Sequence, residues 1–383
     1  MKIFNAKILS KGEILFHNGW VEITNGKISN LGDGNTNTTP TDIDANGQTL
    51  ISGFVDAHTH IGIIEDGLDF EGDDCNEQTD PFTPQLRAID GINPFDYCFK
   101  EARKRGITSV VVTPGSANPV AGQMVAIKTY GKRIDDMVIK PIGIKFALGE
   151  NPKRTYNDRS EIPTTRMATV SIIREGLFKA QRYLQEVEKH NQNPDDYDLP
   201  EFDIKSEALI PLLKREIKAH FHCHRADDIC TAIRISKEFN LDCVIVHGTE
   251  GYLISDIISQ EKVPVICGPI ICDRCKPEMK GLDIKNASVL SNDGVNIAIC
   301  TDHAVIPIQY LPTSVLMAIK GGLSYEDGLR SITCNPAEIV GISDHVGDIA
   351  IGMDADLQLY NGNPLDIAIE PSLVMIDGKT IKD

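Results

Sequence analysis

Four short stretches carry most of the side chains that could do chemistry: His58-Thr59-His60, His220-Phe221-His222-Cys223-His224, His247-Gly248 and Asp302-His303. Side chains two apart in a strand share a face, so His58 and His60 can reach one point, as can His220, His222 and His224. Neutral imidazoles and a carboxylate are ordinary ligands for zinc and related divalent metals. A lone His-x-His reads more simply as a packed pair. What raises the metal reading is recurrence: each stretch ends an apolar, strand-like run, and a further run, Ile142–Ala147, carries Lys145. Groups drawn from such distant parts of a chain converge only if the runs lie side by side with the same ends together.

The elements fit that requirement. The middle of the chain alternates strands with helices, the pattern of a parallel sheet. Candidate strands are Leu50–Ala57, Thr108–Thr113, Met124–Thr129, Ile142–Ala147, Lys218–His222, Cys243–His247, Val263–Cys267 and Val295–Thr301. A helix is predicted over Arg166–His190, where Met167, Val170, Ile173, Leu177, Ala180, Leu184 and Val187 recur every three or four residues. The acidic, proline-containing run Asn191–Asp203 reads as a surface loop. Both ends of the chain are strand-rich: Lys2–Leu9, Ile14–Ile23 and Lys27–Leu31 are punctuated by Lys11-Gly12 and Asn25-Gly26, and Gly347–Ile351, Asp356–Tyr360 and Leu373–Ile376 look alike. The fold class is therefore α/β: a (β/α)8 TIM-like barrel over 51–344, with a small β-sandwich domain built from 1–50 and 345–383. In such a barrel, functional groups project from the C-terminal strand ends.

Composition narrows the partners. A net charge of −17 argues against nucleic acid, which needs a basic surface. No run is apolar enough to span a bilayer, and the N-terminus lacks the apolar core of a signal peptide. The ten cysteines are scattered, several within strand-like runs, and suit a reduced cytoplasmic chain. Cys272-Asp273-Arg274-Cys275 has no second pair and makes a poor structural metal site. The expected partner is a small-molecule substrate.

The sequence resembles the amidohydrolase superfamily, in the branch of imidazolonepropionase-related and prolidase-like enzymes. The resemblance spans nearly the whole chain, from Leu50-Ile51-Ser52-Gly53-Phe54-Val55-Asp56-Ala57-His58-Thr59-His60 through Thr333-Cys334-Asn335-Pro336-Ala337 to Gly347-Asp348-Ile349-Ala350-Ile351-Gly352-Met353-Asp354-Ala355-Asp356-Leu357. It implies a hydrolase of carbon–nitrogen bonds with one or two divalent ions, zinc first. His58 and His60 would bind one ion with Asp302; His222 and His247 would bind a second, or one of them would complete a single-metal site. Lys145 matches the position of a carboxylated lysine that bridges two ions, and must be carboxylated to ligate. Glu150 is the competing ligand. A metal would lower the pKa of bound water toward neutrality. Asp302 would act as general base and then acid, with an ion or His247 polarising the carbonyl.

Substrate contacts are less defined. His224 and Arg225 follow the fifth-strand ligand, and His224 competes with His222 for that role; His220 reads as a packed barrel residue. Asn118 or Gln123, in the turn-rich segment after the second strand, would bind substrate or merely shape the rim. Arg154 or Arg166, within a basic cluster in an acidic protein, would hold a substrate carboxylate, although a solvated helix start accounts for the same residues. Two rivals stand beside an amidohydrolase. A deaminase would place an acid three residues after the fifth-strand ligand: Arg225 follows His222 at that spacing, but Asp227 follows His224. A non-catalytic binding relative would have lost ligands, and here every expected position keeps a competent side chain.

Overall fold

A computed structural model describes residues 1–382. Runs such as Ile107–Val112 and Cys243–His247 are rich in β-branched residues without alternation, as strands buried on both faces require. All six residues of Ile107–Val112 are buried. The barrel's eight strands, in chain and spatial order, are Phe54–Thr59, Ile107–Val112, Val120–Lys128, Val138–Ala147, Lys218–Cys223, Cys243–His247, Val265–Cys267 and Ile297–Ile299. The first and eighth meet just beyond the eighth strand's end, where Asp302 N–H donates to His58 O (3.2 Å) and His60 N–H to His303 O (2.6 Å).

The third strand departs from expectation. It starts at Val120 and runs antiparallel to both neighbours, with Ser109 opposite Lys128 and Gly122 opposite Lys145. A parallel crossover needs a dozen or more residues; residues 113–119 are too few, so the chain turns straight back. The five pairings between neighbouring barrel strands that do not involve the third strand are parallel. This reversal carries Lys128 to the barrel end opposite the histidines.

The expected first strand, Leu50–Ala57, is two strands. Thr49–Ser52 belongs to the small sheet and Phe54–Thr59 to the barrel. Gly53 separates them: a Cβ there would lie 2.0 Å from Thr108 Oγ1. The small domain is one hydrogen-bonded sheet in the order Lys379–Thr380, Leu373–Ile376, Leu357–Tyr360, Thr49–Ser52, Lys2–Ser10, Glu13–Thr24, Lys27–Asp33, with Ile43–Asp44 also on Lys2–Ser10. Its apolar core includes Ile3, Ile8, Val21, Leu50, Leu357 and Met375. Gly347–Ile351 forms no strand; Asp348 instead accepts from Ser10 Oγ at 2.6 Å and from Ile349 N–H at 2.7 Å.

The long helix spans Arg166–Gln192, opened by Thr165, whose hydroxyl accepts from Ala168 N–H. Ile173, Leu177 and Ala180 face the core, but Met167 is exposed. At roughly 100° per residue, Met167 lies about 120° around from Ile173. Helix Ile204–Leu213 follows the acidic loop and packs on the long helix. Among the described residues, no helix is long and apolar enough to cross a membrane.

Candidate functional site

Parallel strands with aligned ends bring the histidines together. His58 Nε2 and His60 Nε2 lie 3.3 and 3.4 Å from Asp302 Oδ1, and Lys145 Nζ lies 3.2 Å from His58 Nε2. His58, His247 and Asp302 place ligand atoms within 4.8 Å of one another, and so do His222, His224 and His247. His247 thus joins two adjoining groups.

The chain fixes how these rings point. His60 Nδ1 bonds Thr113 O at 2.7 Å, His247 Nδ1 bonds Gly268 O at 2.6 Å and His224 Nδ1 bonds Thr249 Oγ1 at 2.7 Å. A ring N–H given to a carbonyl sets the tautomer and leaves the Nε2 lone pair for a ligand role. His247 (φ 74°) and Asp302 (φ 55°) sit in the left-handed region. Such backbone costs on the order of 1–3 kcal/mol, is held only by surrounding structure, and clusters at functional sites. Asp56 supplies part of that support: it accepts from Thr301 Oγ1 (2.6 Å), Thr301 N–H (3.1 Å) and His58 N–H (3.2 Å), tying the first strand to the turn before Asp302.

Burial sets the protonation states. It holds His58, His222 and His224 well below the ordinary histidine pKa and brings His247 down to about 4, so these rings are neutral. His60 is the exception: burial opposes its charge, but Cys75 and Asp302 beside it raise its pKa to about 10. Burial also works against the Asp302 carboxylate, yet His247, His58 and His60 hold it well below the usual range. Burial lowers Lys145 to about 8.

A divalent cation suits this set. Among the described residues His224 Nε2, the ring nitrogen on the side of Glu278, is buried with no hydrogen-bond partner. Buried polar atoms are normally satisfied, and neutral imidazoles around an ionised carboxylate form the donor set of a zinc-like ion, which His60 joins by giving up its Nε2 proton. The residues that would hold it are His58, His60, His247 and Asp302, with Lys145, His222 and His224 adjoining.

Other expected residues are placed elsewhere. His220 is fully buried beside Gly143 and lies outside both ligand groups. Asn118 is consumed by packing: its amide donates to Glu77 O (2.6 Å) and Thr83 Oγ1 (3.0 Å) and accepts from Tyr156 (2.6 Å), which leaves no free polar atom for a substrate. Gln123 donates to Pro84 O at 3.4 Å. Arg154 is exposed, on helix Glu150–Asn157. Arg166 is paired with Asp228 at 2.9 Å. Arg225 and Asp227 pair with each other at 2.8 Å, so the acid at the deaminase spacing from His224 is already engaged by an arginine. Glu150 gives its backbone N–H to Glu278 Oε2 at 2.9 Å.

Sequence reasoning missed Glu278, Lys276, Asn151 and Asp56. Glu278 Oε1 lies 3.7 Å from His222 Nε2, 3.6 Å from His224 Nε2 and 2.8 Å from Lys276 Nζ. Asn151 lies 3.4 Å from His222 Nε2 and accepts from Lys276 Nζ at 3.2 Å. Asp56 had a signal, since it shares the two-residue alternation of His58 and His60. Glu278 had none, because the loop that carries it has no periodicity.

Comparison with known proteins agrees with this geometry. The chain is 30% identical over 365 residues to amidohydrolase tasK of Hapsidospora irregularis, covering 88% of this chain but only 36% of that protein, so it spans about a third of that relative's length. It is 23% identical to the imidazolonepropionase of Photobacterium profundum, over 97% of this chain and 95% of the relative. An amidohydrolase structure from Thermotoga maritima MSB8 superposes with a TM-score of 0.95 at 40% identity, covering 100% of this chain and 99% of that one. The amidohydrolase family model matches residues 49–381, and the chain belongs to the amidohydrolase family.

Proposed function

We propose that this protein is a metal-dependent hydrolase that cleaves an amide or cyclic-amide C–N bond in a small, carboxylate-bearing substrate. The observation that carries the reading is the meeting of His58, His60, His247 and Asp302 at one barrel end, with His58 and His247 neutral and Asp302 ionised. Zinc is the first candidate. Held there, a divalent cation would make water a better nucleophile near neutral pH and polarise the scissile carbonyl. Asp302 takes the proton of the attacking water and returns it to the leaving nitrogen, acting as base and then acid. Its contacts with His58 and His60 keep its carboxylate aimed at one spot. His247, fixed by Gly268 O, keeps its Nε2 turned toward the same place.

Lys145 takes part as a carbamate. With its pKa near 8, a fraction of the amine is uncharged at neutral pH; Nζ then adds to carbon dioxide and releases a proton. A carboxyl adduct on Lys145, lost on acidification, is the mass-spectrometric signature. The enzyme acts in the cytoplasm, where its ten free cysteines stay reduced, and assembles as a homo-oligomer. The test is a screen of zinc-loaded protein against N-acyl amino acids, dipeptides and cyclic amides, with charge-neutral analogues alongside. Hydrolysis of one such class supports the proposal. Ammonia release from aminated heterocycles with no amide cleavage overturns it, and equal turnover of neutral analogues removes the carboxylate.

A further inference from the structure

Arg166 and Arg225 are already paired, with Asp228 and Asp227, and Lys145 is buried against His58, so none of the three receives the carboxylate that the proposed reaction expects. Lys276 is placed differently. It lies in the loop after the seventh barrel strand, at the histidine end. After burial and the neighbouring His247 ring, its charge is a further cause that keeps His222 well below the ordinary histidine range.

The loop that carries Lys276 is fixed from both sides. Arg274 closes its base by donating to Leu282 O at 2.6 Å. Glu278 and Glu150 bond reciprocally: Glu278 Oε2 accepts the Glu150 N–H at 2.9 Å, and Glu150 Oε2 accepts the Glu278 N–H at 3.4 Å. Gly149, at φ 83°, leaves room for this seat, since a Cβ there would lie 2.6 Å from Glu278 Oε2. An ammonium has three donors. Lys276 Nζ is paired with Glu278 Oε1 at 2.8 Å and donates to Asn151 Oδ1 at 3.2 Å, which leaves a third. The Glu278 side chain is 1% exposed and that of Lys276 22%, so an incoming anion meets the ammonium rather than the carboxylate. Asn151 extends this polar wall: its amide nitrogen donates to Ser116 Oγ at 2.7 Å and lies 3.4 Å from His222 Nε2. The half-buried Ser116 hydroxyl, accepting there, keeps its own O–H to donate. Ammonium and hydroxyl thus flank one amide group beside His222, two donors for the two oxygens of a carboxylate.

We propose that Lys276 and Ser116, held in place by Asn151, bind the substrate's carboxylate, and that the short reach from Asn151 to His222 selects an α-carboxylate next to the scissile bond. This rests on the reading that the barrel end hydrolyses a carboxylate-bearing amide. The zinc-loaded full chain is assayed with N-acetyl-L-amino acids and with their matching uncharged carboxamides, for hydrolysis and, by calorimetric titration, for binding. Wild type is expected to favour each acid over its carboxamide. Lys276→Met should raise KM or Kd for the acids about 10- to 100-fold, the usual worth of a charge-assisted hydrogen bond, with kcat and the carboxamide values little changed. Ser116→Ala, which leaves Glu278 its cation, should raise the same values by a smaller factor, about 3- to 10-fold. A purely structural Lys276 would move acids and carboxamides together. An unchanged ratio of acid to carboxamide in Lys276→Met overturns the proposal, and continued amide cleavage then leaves the hydrolase reading standing; should that variant not fold, the ratio in Ser116→Ala decides in the same way. Acid-selective binding without hydrolysis, lost in Lys276→Met, supports the anion site and removes the hydrolase reading. A wild-type chain that neither binds nor cleaves either series removes both.

Discussion

At the barrel end away from the histidines, Lys128 is buried against Asp356 at 2.8 Å and Asp354 at 3.1 Å, with Asp377 at 3.4 Å. Burial opposes the Lys128 charge, yet Asp356 and Asp377 raise its pKa, and Asp356 Oδ1 also accepts the N–H of Asp377 at 2.9 Å. At the other end, His58, His222 and His224 each leave a buried ring nitrogen without a partner. Both clusters are buried and polar, but one is closed within the chain and the other is open. The closed one fastens the third barrel strand to the segment entering the small sheet. An open cluster persists where its lone pairs have an outside use, because unsatisfied buried groups otherwise cost about 1–3 kcal/mol each. Satisfaction, rather than burial or charge, distinguishes these two clusters, although His220, outside both ligand groups, also keeps two unpartnered ring nitrogens.

That comparison can be broken at either end. Asp302→Asn should lower turnover by about 10²–10⁴-fold, the usual worth of a general base, with the fold intact by circular dichroism; an active, folded variant removes Asp302 from the chemistry. Lys128→Met leaves buried carboxylates without their cation and should cost about 3–5 kcal/mol in denaturant unfolding, with zinc content unchanged. A loss of zinc instead would mean that the two ends are not independent. Removing metal from the loaded protein should lower its stability by about 2.7 kcal/mol relative to a zinc level 100 times the dissociation constant, recovered on adding zinc back; an unmoved melting curve would argue that the open cluster binds no ion. The smallest effect belongs to Arg225→Ala. Its ion pair with Asp227 is largely exposed, so stability should change by about 0.5 kcal/mol or less. A large rise in KM would return Arg225 to the substrate.

The histidines were legible because a strand alternates with period two and a barrel aligns strand ends. His58, His222 and His247 sit on apolar strands whose buried faces leave little choice of orientation, and His60 and Asp302 lie just past the ends of the first and eighth. Arg154, Arg166, Arg225 and Asn118 were chosen for chemical type and sequence neighbourhood. The structure gives Arg166, Arg225 and the Asn118 amide partners within the chain, which residue type alone could not reveal. The direction of the third strand could have been read from the seven residues, 113–119, that precede it, but periodicity says nothing about direction.

Strand-like runs ending in imidazoles and Asp302, together with the turn signals at Asn25-Gly26 and Lys11-Gly12, are local properties, and the sequence alone determined from them an α/β barrel with histidines and Asp302 at its strand ends. Tertiary structure alone decided that Glu278 and Lys276, from a loop without periodicity, meet His222 and His224, and that Lys128 meets Asp356 across 228 residues. The reason is physical. Which groups share a face of one strand follows from backbone geometry, whereas which carboxylate closes a buried charge depends on how separate elements pack.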